Sequence, residues 1–381
     1  TYYWYRFIDQ PSIINANYPE DIRDKMQQRV ELIHSNWSHT DEYIQPPAFG
    51  ELATIDPKTI VQPPAGLEIG YVPIVTKQEQ STPKVRVFVL AGQSNMQGSA
   101  HKKTFAAIGD DPKTASILKE ILSADGEPVE GHNSWVTCRT NRGGQQVTLH
   151  GKVKVGYGFD DERIGPEYGF GLHMDRSTEE PVLIIKTAWG GKSLAVDFRP
   201  PSAGPYSPSE RENENGRVPT QQATGSYYRQ MIAFVKETLK DEASIRKVVP
   251  EYKEGDGYKL AGFVWFQGHK DKGVPKAEYE RHLVNLIKDV RKEFKTPKMP
   301  AVVATVGFSG MEMDPGHFMT WEAQMAVGDP SQHPEFVGNV ASVDTRPFWR
   351  SRGASPTNTG YHYNHNAETY VLTGDALGRA M

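Results

Sequence analysis

The feature that most constrains this chain is a series of short, nearly unbroken apolar runs, each released into glycine or a polar turn. They are Val85-Arg86-Val87-Phe88-Val89-Leu90-Ala91, Val182 to Trp189, Leu260 to Phe266, Pro300 to Val306 and Asn339 to Val343. Between them lie stripes of helical period: Ile117, Leu118, Ile121 and Leu122; Tyr228, Met231, Ile232, Val235 and Leu239; Tyr279, Leu283, Ile287, Val290 and Phe294. The C-terminal residues 367–381 also read as helix. Runs that do not alternate apolar with polar need cover on both faces, so strands and helices taken in turn predict a parallel sheet sandwiched by helices. The segment 147–158 does alternate, with Gly151 between two halves, and predicts a surface hairpin inserted in this fold.

Composition narrows the class. The 381 residues carry 43 Lys and Arg against 47 Asp and Glu, a net charge of −4 without a basic block, which argues against nucleic-acid and membrane-surface partners. Only 37% of residues are hydrophobic, while Gly numbers 35 and Pro 27, so long loops surround a dense core. The single cysteine, Cys138, excludes an internal disulfide framework and a Cys-based zinc site. No run approaches the roughly 18 apolar residues of a membrane helix. The chain starts at Thr1 with no signal segment, as a processed secreted or periplasmic protein or a trimmed chain would. Residues 1–83, rich in Tyr, Pro and Trp, predict an extended arm with one helix led by Pro19 and striped by Ile22, Met26, Val30 and Ile33. Residues 84–381 then form the α/β domain.

In parallel sheets the chemistry lies beyond the carboxyl ends of the strands. The first run opens into Gly92-Gln93-Ser94-Asn95-Met96, where a serine is either an exposed nucleophile or a turn residue capping the next helix. The second opens into Gly190-Gly191-Lys192-Ser193, either a close backbone approach to a reacting atom or a plain loop start. The third opens into Gln267-Gly268-His269-Lys270-Asp271-Lys272. A solvated loop explains the lysines there but explains Gln267 less well, since it follows a buried run directly. Near the chain end, His362 and His365 offer a general base; no carboxylate or cysteine completes a metal set with them by spacing. There is no dinucleotide, phosphate-loop or His-Glu-x-x-His motif, and no cofactor is expected.

These segments resemble the SGNH hydrolases, in the sialate O-acetylesterase-like branch that contains carbohydrate acetylesterases. The resemblance rests on Gly92-Gln93-Ser94-Asn95-Met96, Ala188 to Leu194, Trp265-Phe266-Gln267-Gly268 and His362 to Gly374, in that family's functional blocks, and on Ile164 to Gly171, a further family segment read as structural. It implies a three-layer, flavodoxin-like fold over residues 84–381 and a secreted or periplasmic enzyme that hydrolyses an ester on a sugar, most simply an O-acetyl group. It implies Ser94 as nucleophile, His362 as base, and an oxyanion hole from the Ser94 N–H, Gly191 or Gly190, and Gln267 or Lys270. Gln93, Asn95, His269, Lys270, Asp271, Lys192 and Arg199 are the expected substrate contacts.

Two departures stand out. The acid that the family places three residues before its histidine is Thr359 here, and Asp344 reaches His362 only if the intervening loop folds back. In the third block, His269 stands where the branch has glutamate. Lys192, Arg199, Lys270 and Lys272 near strand ends raise an anionic substrate, a uronate or sulfated glycan or even a sulfate ester, as an alternative to a merely solvated rim. A further alternative is a glycan-binding protein with a decayed site.

Overall fold

The computed structural model describes residues 85–381 apart from Ser209 and Asn358, so the arm expected over 1–83 and its Pro19-led helix lie outside the described residues. The five apolar runs become strands of one sheet that holds two more, β2 and β3: β1 Val85–Gly92, β2 Ser134–Arg142, β3 Gln145–Lys152, β4 Val182–Ala188, β5 Tyr258–Phe266, β6 Ala301–Ala304 and β7 Val340–Val343. Their order is β3-β2-β4-β1-β5-β6-β7, parallel throughout except for β3 against β2. Without β2 and β3 the order in chain sequence is 2-1-3-4-5, the flavodoxin-like arrangement.

Successive residues of β1 face opposite layers, and both layers are apolar. Val85, Val87, Val89 and Ala91 pack with α4 Ser226–Leu239, α5 Lys276–Glu293 and part of α6 Pro315–Val327. Phe88 and Leu90 pack on the other side with α3 Pro166–Ser177 and α7 Ala367–Ala380. The short α1 Ser94–Gln97 and α2 Ala115–Ile121 complete the helices used below.

The hairpin differs from expectation. It spans 134–152 rather than 147–158, turns at Gly143-Gly144, and extends the main sheet through β2 on β4. Both turn glycines have positive φ (+56° and +80°), as a two-residue hairpin loop requires, whereas Gly151 lies inside β3 opposite Val136. Helices α3 and α6 have no apolar stripe that announces them. The buried face of α6 carries His317, Thr320 and Gln324 among its apolar residues, and α3 contains Gly169 and Gly171. Gly169 is there because α7 passes so close: a Cβ would stand 2.4 Å from the Val371 carbonyl oxygen.

Candidate active site

Register brings three strand ends level. Gly92 pairs with Ala188 on one side and Phe266 on the other, at the point where the connections reverse direction across the sheet. The crossing is tight: a Cβ on Gly92 would lie 2.1 Å from the Phe266 carbonyl oxygen. Ser94 follows as the first residue of α1, 5% exposed, and its Oγ faces Gln93 Nε2 at 3.4 Å.

The glycine loop lies against it. A Cβ on Gly190 would be 4.0 Å from Ser94 Cβ, and Gly191 takes a left-handed φ of +69°. Both glycines are exposed, and their N–H groups have no partner among the described residues. The residues after them are held firmly. The Asp271 carboxylate accepts from the Leu194 and Ala195 N–H groups at 2.8 and 2.9 Å, while Asp197 accepts from Ser193 N. Complete burial pushes the Asp271 carboxyl up to about 6 against the opposing pull of those hydrogen bonds.

Five of the expected site residues, the oxyanion candidate Gln267 and the contact candidates Asp271, Gln93, Asn95 and Arg199, bond to neighbouring parts of the chain. Gln267 is 1% exposed, and its Nε2 lies within hydrogen-bond reach of Gln93 Oε1, the Lys192 carbonyl and Asp271 Oδ2, at 3.1, 3.0 and 2.5 Å; its Oε1 accepts from Tyr279. An amide with two hydrogens and three acceptors has none to spare for an oxyanion. Asp271 is buried beneath the glycine loop. Gln93 Oε1 accepts from Gly268 N, Lys270 N and Gln267, tying the serine block to the third block. Asn95 Oδ1 accepts from the Tyr370 hydroxyl. The Arg199 guanidinium is buried, donating to the carbonyls of Ala195, Ala203, Gly204 and Pro205. Polar residues beside a strand end serve the loops there as readily as a ligand, and only coordinates separate the two.

His362 arrives at the same edge. Its carbonyl accepts from Ser99 Oγ at 3.1 Å and meets Tyr370, which also binds Asn95, so the histidine loop is tied to the serine turn. Ser94 and His362 make no hydrogen bond to each other. His362 to His365 form a left-handed turn, with φ between 48° and 55° at all four residues. The His362 ring is edge-on to Phe159 and Tyr361, and its Nδ1 is buried without a partner. Burial, with His365 and His269 nearby, lowers its pKa to about 4. Asp344 does not reach it, being held by Arg346 at 2.7 Å and by Trp321 at 3.1 Å.

Among the cationic side chains, Lys192 pairs with Asp197 and lies over Tyr227, and Lys272 pairs with Asp314. Lys270 is exposed and has no side-chain partner among the described residues. Two groups escaped the sequence reading. Lys186, in the middle of β4, is fully buried against Glu167 at 2.5 Å and donates to the carbonyls of Gln97 and Tyr157, anchoring the end of α1. A lysine inside an apolar strand, with a glutamate just after Gly165-Pro166, was the signal for it. The other is His317, whose Nε2 meets His269 Nδ1 at 2.8 Å and whose Nδ1 meets Asp314 Oδ2 at 2.5 Å. Among the described residues no group of three His, Cys, Asp or Glu side chains could hold a metal ion.

The chain is similar to known proteins over this same region. The family model for SASA, described as carbohydrate esterase, sialic acid-specific acetylesterase, matches residues 84–381. Similar solved structures include a protein from Arabidopsis thaliana, at 16% identity and a TM-score of 0.43, over 78% of this chain and 98% of that one. A carbohydrate acetylesterase from Xanthomonas citri shares 14% identity at a TM-score of 0.42, over 77% of this chain and 57% of its own. NanS shares 14% identity at a TM-score of 0.37, over 73% and 81%. No curated protein matches the sequence.

Proposed function

The chain belongs to the SASA family of carbohydrate esterases, and from that premise we propose that it removes an O-acetyl group from a sugar by serine catalysis. Ser94 Oγ attacks the ester carbonyl, His362 takes its proton and passes it to the departing sugar oxygen, and water then frees the acyl group from Ser94. The N–H groups of Ser94 and of Gly190 or Gly191 hold the oxyanion, each contributing about 3 kcal/mol to the barrier drop. The observation that carries this reading is the pair of unpartnered glycine N–H groups beside Ser94, at the point where the sheet reverses. With no carboxylate on Nδ1, the base works without the usual third member.

Lys270 favours a second feature of the substrate, a carboxylate or sulfate near the ester, because its ammonium has no ion-pair partner among the described residues. Acylated plant or bacterial polysaccharide in a secreted or periplasmic setting fits both requirements. Purified protein should release acetate from acetylated oligosaccharides, Ser94→Ala should lose about a millionfold in kcat, and a serine-directed phosphonate should label Ser94. Lys270→Ala should raise KM on acetylated uronates and leave it unchanged on neutral esters. Sulfate release without acetate release would replace the acetylesterase by a sulfate-ester hydrolase, and glycan binding without labelling would make the chain a binding module.

A further inference from the structure

The His269, His317 and Asp314 side chains form one hydrogen-bonded line ending at the edge that holds Ser94. Its far end is rigid: Asp314 caps α6 by accepting from the N–H groups of Gly316 and His317, and also pairs with Lys272. Those bonds keep its carboxyl below the usual range despite partial burial. An ionised Asp314 requires a proton on His317 Nδ1, which leaves His317 Nε2 as an acceptor. That acceptor fixes the proton of His269 on Nδ1, so His269 Nε2 presents a lone pair. Phe308 lies within 5.0 Å of both rings and stacks on Tyr363, which locks the pair in place. Among the described residues no such device acts on His362, whose Nδ1 has no partner there.

His269 is also placed on the open side. It is exposed, its Nε2 meets no protein group among the described residues, and the N–H groups on either side of it converge on Gln93 Oε1. The same Gln93 turns its Nε2 to Ser94 Oγ, so the backbone at His269 stands one side chain removed from the hydroxyl, and the His269 ring is near enough to His362 for their charges to interact. That position suits a water approaching an acylated serine better than the serine itself.

We propose that His269, oriented by His317 and Asp314, is the base that activates the hydrolytic water, while His362 serves the attack by Ser94. This rests on the acyl-serine reading above. The water oxygen bonds to the acyl carbon as one proton passes to His269 Nε2. The adduct collapses, the bond from Ser94 Oγ to the acyl carbon breaks, and the imidazolium returns that proton to Ser94 Oγ, leaving the free acid. His269 is then a catalytic residue, and His317 and Asp314 are positioning residues.

Rapid-mixing kinetics with 4-nitrophenyl acetate on the full chain test it. In His269→Ala the burst of nitrophenolate should persist while steady turnover falls about a hundredfold, with acetyl-Ser94 trapped for peptide mass spectrometry. Added imidazole should restore turnover. His317→Ala, which leaves His269 in place but unoriented, should show the same pattern more weakly, whereas a purely structural role would lower the burst as well. Unchanged steady turnover in His269→Ala, or loss of its burst with Ser94 still labelled by phosphonate, would overturn the proposal. Full activity in Ser94→Ala would remove the acyl-serine reading itself, and is told apart because no acetyl-enzyme would then form in any variant.

Discussion

His362 shows what one side chain's surroundings do to its chemistry. Half-buried against aromatic rings and facing other imidazoles, it holds a pKa near 4 where a free histidine holds 6.5. The acid limb of kcat/KM should therefore lie near pH 4, so the enzyme stays active in mildly acidic solution. A limb at 6.5 would take His362 out of the base role. The same shift sets a sign for stability. The unfolded chain binds the proton first, so this residue costs stability as pH falls from 6.5 toward 4 and contributes nothing above that window. His362→Ala should abolish turnover and His365→Ala should spare it, since His365 packs behind the turn, 8% exposed. The reverse result would exchange their roles. The turn carrying both holds four successive non-glycine residues in left-handed backbone, at on the order of 1–2 kcal/mol each. No pattern of residue types in His362-Tyr363-Asn364-His365 reveals that.

At the scale of elements, the glycine loop owes its shape to residues on another strand. Asp271, five residues past the end of β5, receives the N–H groups of Leu194 and Ala195. Asp271→Asn would turn an amide N–H toward one of those donors. We expect kcat to fall at least tenfold with KM little changed, and stability to fall by about 1–3 kcal/mol; unaltered kcat would show that the loop keeps its form unaided. Lys186→Met is the companion case. It strands Glu167 in the core and should cost about 3–5 kcal/mol by denaturant unfolding, most of it recovered when Glu167→Gln is added. These links explain what could and could not be read from sequence. The positions of Ser94, Gly190 and Gly191 were legible because strand ends mark them, and that of His362 because it lies just before the last helix. The supports were not, since His317 lies 48 residues from the histidine it holds, and α6 hides its buried polar face behind an irregular pattern.

For the whole molecule, the doubly covered sheet was legible from five apolar runs, because a strand buried on both faces has no other reading at that length. The edge of the sheet was not. β2 is interrupted by Thr137, Arg139 and Asn141, and its partner β3 is polar enough to pass for loop. The two apolar layers and the site residues named above lie within 85–381. A chain of residues 84–381 should accordingly fold and hydrolyse acetyl esters with kcat/KM within about twofold of the full chain. A larger loss would make the arm part of the site. The added hairpin has one more consequence. β4 is buried along its whole length, and without its neighbours it would present an apolar strand with unpaired backbone groups to the solvent. Polar, antiparallel β3 stands in that position instead, a poor template for any approaching chain. Deleting 134–152 should leave a protein that precipitates as fibrous aggregate on concentration, so the hairpin guards colloidal solubility.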